Sequence, residues 1–478
     1  VNLRNIAKSL LALLMVLGIL MLTVPIIDLL YDEPLSEWFL VVGLALILIG
    51  YIGSRIPASP LTTLEALTVA ALAWVMISLI SALVLHIETG YSLVDTVFES
   101  VSGFTGTGFT VFSVDGMKHS IIWWRSLMQW SGELGFVVFA MVLIPYFYSV
   151  ARNLYGIERP IKIEASFYRT ALQLILIYVV LTIMGTLAYI VTGMTPFEAV
   201  NHVMTTVATG GMSTYDQGYS VIFARAPLTY IAVFVFMILG GMNLYDLYKL
   251  LGGKLRELVS SEEFRYYIYS LATISFLVFL SYVLVDKVGD IWYAFYASIF
   301  NNVSGMTTTG FNIGTIAGLS TTTKALITLG MFIGGMTFST AGGIKTLRLV
   351  IVVKKFKRFV LSMFLKQNIV KPITIDRKIV SDAEASSALL FVILHAFMAF
   401  TGAVLLSAYG YTFIDSLFEA TSAISCVGLS AGVVSQAAPA GVKIIISALM
   451  LLGRIEYLHI MLFFALIFRR GAMRLLAP

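Results

Sequence analysis

Four stretches of the chain carry glycine and small hydroxyl residues at matching intervals. They are FESVSGFTGTGF (Phe98–Phe109), NHVMTTVATGGM (Asn201–Met212), FNNVSGMTTTGF (Phe300–Phe311) and FEATSAISCVGL (Phe418–Leu429). Aligned without a gap, each has glycine at its eleventh position (Gly108, Gly211, Gly310, Gly428) and a hydroxyl six residues earlier (Ser102, Thr205, Ser304, Ser422). The second position is polar in each (Glu99, His202, Asn301, Glu419), and the residue after the glycine is large and apolar. What these stretches offer is backbone rather than side-chain chemistry. Glycine reaches angles closed to other residues, so a loop built on it can turn its carbonyls inward. Four such loops around one axis give a ring of oxygen dipoles able to replace a cation's hydration shell. The small hydroxyls can hydrogen-bond the loop and hold its shape. One such stretch would be an ordinary Gly/Thr-rich connection; four in register between apolar segments call for a common cause.

The elements that must position these loops are membrane spans. Of 478 residues, 59% are hydrophobic and 12% charged, and mean hydropathy is +0.93; soluble chains carry about 25% charge. A bilayer core about 30 Å thick needs roughly 20 apolar residues per helix. Ten such stretches read as spans: 6–30, 37–54, 63–87, 121–148, 166–192, 226–249, 264–286, 321–360, 383–409 and 438–468. Arg4 and Lys8 precede the apolar run of the first, but no small-residue cleavage site follows and the run is long, so it reads as a span rather than a signal. Shorter semi-apolar pieces at 92–103, 196–207, 290–305 and 413–424 precede the four glycine loops. They suit re-entrant half-helices, which survive where protein shields their ends; their C-termini would point inward with partial negative charge. The expected architecture is all-α and polytopic: two leading helices (1–62) and four units of span, half-helix, loop and span (63–150, 151–252, 253–368 and 369–478) in pseudo-fourfold arrangement around one pore. Basic residues orient it. The N-terminus, 55–62, 149–169, 249–265, 345–378 and the tail hold 24 of the 31 Lys and Arg, against six on the opposite face (Lys118, Arg125, Arg225, Lys287, Lys324, Lys443). This puts the N-terminus in the cytoplasm and all four loops outside.

Two features fall outside the repeat. The second span of the third unit reads GMFIGGMTFSTAGGIKT, with Gly334, Gly335, Gly342 and Gly343 amid Thr and Ser. Each interior glycine costs a helix roughly 1 kcal/mol relative to Ala, which predicts a broken helix lining a water-filled cavity; close small-residue packing is the alternative. The second is Arg454, midway along the last span, where it costs on the order of 2.5–3.5 kcal/mol to insert and needs a partner. It reads either as a structural ion pair, for instance with Glu133, or as a positive charge beside the pore. Glu133 reads as a pore-lining carboxylate, an arginine partner or a local peculiarity. His202 reads as a capping or packing residue.

The architecture and loops resemble the Trk/Ktr/HKT superfamily of potassium transporters, and the two leading spans resemble its TrkH-like branch. The likeness runs from about residue 60 to 470. It implies potassium uptake across the cytoplasmic membrane through a single-chain, channel-like pore with one filter glycine per repeat, K⁺ being the transported ion. The K⁺ filter would then be Gly106, Thr107 and Gly108; Thr209, Gly210 and Gly211; Thr308, Thr309 and Gly310; and Cys426, Val427 and Gly428, the last loop departing most from the family. The glycine-rich stretch would be an intramembrane gating loop, with Met336, Thr337 and Phe338 where relatives carry smaller residues. Arg454 would help to close it. The resemblance also implies a homodimer and separate cytosolic nucleotide-binding (RCK-type) regulatory subunits.

Other functions fit poorly. Net charge is +5 with one cysteine, Cys426, which excludes an intramolecular disulfide and multi-cysteine metal sites. The basic excess marks topology and contact with anionic membrane lipid, concentrated in the ten Lys and Arg of 345–378, rather than nucleic acid. H-E-x-x-H, G-x-S-x-G and Walker A strings are absent, which argues against an enzyme, and no organic cofactor is implied. The rival reading is a cation- or proton-coupled secondary transporter for Na⁺ or a small solute. It predicts inverted repeats and discontinuous spans in matching halves, whereas the repeats here share one topology and one span alone reads as broken.

Overall fold

The computed structural model describes residues 2–57, 59, 61–133, 167–364, 372–376 and 378–455. Among them the regular structure is helix, apart from one hairpin of Thr374–Ile375 against Lys378–Ile379. Among the described residues six helices are long and apolar enough to cross a membrane: Leu3–Leu30, Glu37–Ser54, Thr68–Thr89, Leu172–Thr192, Glu262–Leu284 and Asp382–Ser407. At 1.5 Å per residue, 20 residues reach the ~30 Å of a hydrocarbon core. Glu37–Ser54 leaves Val41, Leu44, Leu48 and Ile52 exposed, an apolar stripe that lipid accepts and water does not. His119–Glu133 and Ala440–Ile455 begin the spans expected at 121–148 and 438–468. The remainder of both, and the expected boundaries near 150 and 368, lie outside the described residues.

The four short pieces form helices Leu93–Phe104, Pro196–Val207, Ile291–Met306 and Phe413–Ile424. Each starts at a side chain that accepts from the first turn: Ser92 from Asp95 N, Thr195 from Glu198 N, Asp290 from Trp292 N and Tyr293 N, Thr412 from Asp415 N. Such caps contribute about 1 kcal/mol apiece and fix where each half-helix begins. Their C-terminal turns are buried. A polar contact ties each to the span before it: Ser100 Oγ to Ser81 Oγ (3.3 Å), Tyr189 OH to Thr206 Oγ1 (3.0 Å), Asn302 Nδ2 to Ser275 Oγ (2.9 Å), and His395 Nε2 with Ser425 Oγ (3.0 Å).

Two expected spans are not continuous. The stretch 321–360 divides into Thr321–Ile333 and Thr346–Phe364, as its glycines predict. The stretch 226–249 also breaks, into Thr229–Gly240 and Leu244–Leu251 bent by 119°, so the broken span of the third repeat is not the only one. Here Gly240–Gly241 releases the helix and Asn243 caps its successor by accepting from Tyr245 N. The two breaks satisfy each other's backbone: Met336 N donates to Gly241 O (2.8 Å) and Leu244 N to Phe338 O (3.2 Å).

Candidate functional site: a ring of four loops

Beyond each half-helix the backbone adopts one conformation four times. Positive φ occurs at Gly106 (68°) and Gly108 (89°), Thr209 (49°) and Gly211 (73°), Thr308 (56°) and Gly310 (85°), and Cys426 (53°) and Gly428 (84°). Three non-glycine residues therefore hold a left-handed conformation that costs roughly 1–2 kcal/mol each, a strain that persists only where surroundings impose it. Alternating the hand of successive residues turns carbonyls that would otherwise alternate toward one side. Each loop is bolted to its half-helix by the N–H of the residue before the glycine: Thr107 N to Ser102 O (3.0 Å), Gly210 N to Thr205 O (2.7 Å), Thr309 N to Ser304 O (2.8 Å) and Val427 N to Ser422 O (2.8 Å). The hydroxyls were expected to hold the loops, yet only Ser102 does so, donating to Phe109 O at 2.6 Å. Thr205 turns back to His202 O, and the Ser304 and Ser422 hydroxyls find no partner among the described residues. A helix end leaves carbonyls unsatisfied, and these take the loop amides instead.

The four loops close on one another. A Cβ added to Gly108 would lie 1.8 Å from Gly210 O, on Gly211 1.9 Å from Thr309 O, on Gly310 2.1 Å from Val427 O, and on Gly428 2.1 Å from Thr107 O. Each repeat thus meets the next and the fourth returns to the first. The carbonyl in every contact belongs to the residue before a ring glycine. Such a ring of oxygens can take the place of a cation's hydration shell.

The polar second position is what braces each loop on its far side. Glu99 accepts from Val111 N (3.1 Å), Asn301 from Ile313 N (2.8 Å) and Glu419 from Ala431 N (2.8 Å), each twelve residues on. His202 Nε2 meets Ser213 Oγ at 3.0 Å, eleven residues on, while its Nδ1 meets Glu198 O at 2.9 Å. Two residues that the sequence did not single out as site residues reach the ring from the second span of repeat 1. Gln129 donates to Gly210 O (2.7 Å) and accepts from Met212 N (3.0 Å). Arg125, counted only as an outer charge, is 1% exposed and donates to Glu99 (2.7 Å) and Ser213 O (3.0 Å). Lys324 pairs with Asp415 and Lys443 with Asp95, both at 2.6 Å, so these outer cations staple one repeat to the next.

The segment between the two halves of the broken third-repeat span lies directly beneath the ring. Gly342 N donates to Thr308 Oγ1 (2.8 Å), and Thr340 Oγ1 to Val207 O and Gly240 O (3.0 Å each). A Cβ on Gly342 would stand 1.9 Å from Ser425 O. Gly334 and Gly343 have φ of 74° and 76°, and their backbones touch: a Cβ on Gly343 would meet Gly334 Cα at 2.7 Å, while one on Gly335 would meet Gly241 O at 2.9 Å. Arg454 pairs with Glu133 at 2.7 Å, the partner anticipated for a structural ion pair, and also donates to Gly132 O (2.6 Å). Loop residues Thr337–Ala341 and Arg454 line one cavity of about 1410 Å³ below the ring. Among the described residues no group of His, Cys, Asp and Glu could hold a metal ion by side chains.

Comparison with known proteins agrees with this architecture. Residues 51–474 match the TrkH family, described as cation transport protein. An uncharacterised cation transporter of Methanocaldococcus jannaschii is 31% identical over 472 residues, covering 98% of this chain and 96% of its own. The Trk system potassium uptake protein TrkH of Halomonas elongata is 28% identical over 485 residues, covering 98% and 100%. The crystal structure of the potassium transporter TrkH from Vibrio parahaemolyticus superposes with a TM-score of 0.84 at 23% identity, covering 97% of this chain and 98% of that one.

Proposed function

The chain belongs to the TrkH family of cation transport proteins, and as such a multi-pass membrane protein we propose that it takes up potassium across the cytoplasmic membrane through one single-chain pore. The observation that carries this reading is the cyclic contact of Gly108, Gly211, Gly310 and Gly428 with the carbonyls of Gly210, Thr309, Val427 and Thr107. Such a ring exchanges water for fixed oxygens without any charged side chain at the ion, which suits a monovalent cation that must also leave. Relatives at 28% identity are named Trk system potassium uptake proteins. In this reading the residues from Gly106, Thr209, Thr308 and Cys426 to the four ring glycines bind K⁺. The 334–343 loop is the gate beneath them, and Arg454 stands at its edge. The working assembly is a homodimer with separate nucleotide-binding subunits on the cytosolic side.

The test is growth of a K⁺-uptake-deficient bacterium at low K⁺, expressing the full chain with and without a cytosolic regulator, beside Gly108→Ser. Rescue by the intact chain and failure or Na⁺ sensitivity of the variant are expected. No rescue by the intact chain in either setting overturns the potassium reading. Equal rescue by Gly108→Ser overturns the filter assignment.

A further inference from the structure

The second spans carry a fourfold correspondence of their own, one layer below the ring. Gly132, Gly240 and Gly453 each press on the end of their own repeat's half-helix: a Cβ would lie 2.1 Å from Phe104 O, 3.1 Å from Thr206 O and 2.1 Å from Ile424 O. In the third repeat Gly334 begins the break instead. The residues that follow these glycines are Glu133, Gly241, Gly335 and Arg454. They pair across the pore's two sides. Gly241 meets Gly335, where both spans break, and Glu133 meets Arg454, where the described helices run unbroken to Glu133 and Ile455.

The charged side has a definite geometry. Glu133 is 2% exposed. Its Oε2 accepts from Arg454 Nη1 at 2.7 Å, while its Oε1 turns toward the filter, 2.0 Å from where a Cβ on Gly106 would stand. The guanidinium is held further by Gly132 O (2.6 Å), Glu133 O (3.2 Å) and the face of Trp74 (5.0 Å). It borders the inner cavity beside the gating loop. A lone arginine there would repel every cation leaving the ring, and a half-buried medium screens such a charge poorly.

We infer that Glu133 is a positioning residue for conduction: its carboxylate draws Arg454 to the wall and cancels its charge, so that the pair adds no net charge at the exit from the filter. This rests on the potassium-pore reading and adds that the arginine is not a standing positive barrier in this chain. Glu133 acts through Arg454, so removing it takes away this counter-charge, and removing both restores the zero net charge of the pair.

The experiment is Rb⁺ tracer uptake into vesicles holding the full chain, comparing wild type, Glu133→Gln, Arg454→Gln and the double variant, with thermal stability of each measured alongside. We expect Glu133→Gln to lower the initial rate by about tenfold or more, and Arg454→Gln to leave it equal or raised. The double variant should return to within about threefold of wild type. A merely structural pair would leave the double variant no faster than Glu133→Gln. That result, or an unchanged rate in folded Glu133→Gln, overturns the inference while leaving the potassium reading intact. Absence of Rb⁺ uptake by the wild-type chain overturns both.

Discussion

Gly342→Ala is the sharpest probe of the loop beneath the ring, because its effect is steric alone. Gly342 is not among the glycines with positive φ, so alanine brings no backbone strain there. Its Cβ would stand 1.9 Å from Ser425 O, where a real Cβ essentially never comes closer than 3.0 Å, so the loop must withdraw by an ångström or more. A shift of that size parts Gly342 N from Thr308 Oγ1 and Thr340 Oγ1 from Val207 O and Gly240 O. One hydroxyl proton serves both carbonyls, so the loss is two buried hydrogen bonds at about 1 kcal/mol each, about 2 kcal/mol, which moves a two-state equilibrium roughly 30-fold toward the displaced loop. Thr340→Val is the companion variant: it removes the hydroxyl that donates to Val207 O and Gly240 O and accepts from Thr209 Oγ1 (3.4 Å), and it adds no bulk against Ser425 O. Both should raise Rb⁺ uptake in the absence of any regulatory partner, Gly342→Ala more than Thr340→Val. The assay is initial-rate uptake into vesicles, with monodispersity in detergent as the control for folding. Folded variants that both keep the wild-type rate would refute the gating role. A rate lost in Gly342→Ala but raised in Thr340→Val would mean that the ring, not the loop, had yielded.

Two further outcomes follow from side chains that hold the frame. Gln129→Leu strands Gly210 O and Met212 N, at about 1–3 kcal/mol for each buried group left unsatisfied. Since Gly210 O is a ring carbonyl, the K⁺/Na⁺ permeability ratio and the melting temperature should fall together, and a folded variant with the wild-type ratio would count against the clamp. Outside the spans, burial pushes the Glu33 carboxyl up, but hydrogen bonds from the His119 side chain and amide outweigh it and hold it below its ordinary 4.5. A lowered folded value means stability that is present above pH 4.5 and lost as pH falls through the folded value. Glu33→Gln should therefore flatten the acid limb of a melting-temperature profile and change little near neutrality; an unaltered acid limb would refute this.

The half-helices were legible nearly to the residue, 92–103 against Leu93–Phe104 and 413–424 against Phe413–Ile424, because caps and glycines punctuate them locally. Gln129 and Arg125 do not read as site residues in the sequence, because the loop carbonyls they meet lie 81 and 88 residues away. Nothing in an apolar span records which polar side chain will meet a loop folded against it from another repeat. The break at Gly240–Gly241 was legible in principle. Gly-Gly-Met stands at 240–242 as it does at 334–336, yet the second copy alone reads as a break in sequence, since its neighbours Gly342 and Gly343 make it conspicuous. Arg454 shows the remaining limit: hydropathy demanded a partner for it, and only packing chose Glu133.

The fourth loop shows which part of the ring the chemistry depends on. Its side chains depart most, with Cys426 and Val427 where other loops carry Thr or Gly. Its backbone does not depart: φ at Cys426 and Gly428 repeats the other loops, Val427 N reaches Ser422 O at 2.8 Å, and Val427 O faces Gly310 as Thr309 O faces Gly211. Cys426 turns its sulfur away, toward Met450 O at 3.9 Å. A side chain at these positions is therefore free to vary so long as it tolerates a left-handed φ or packs behind the loop. The glycine is not free, since the space its Cβ would fill is the neighbouring repeat's carbonyl. Each loop positions the next around a closed circuit, so displacing one oxygen loads all four. The constraint on this ring is thus cooperative geometry, with four glycines as its condition and little else in the loops prescribed.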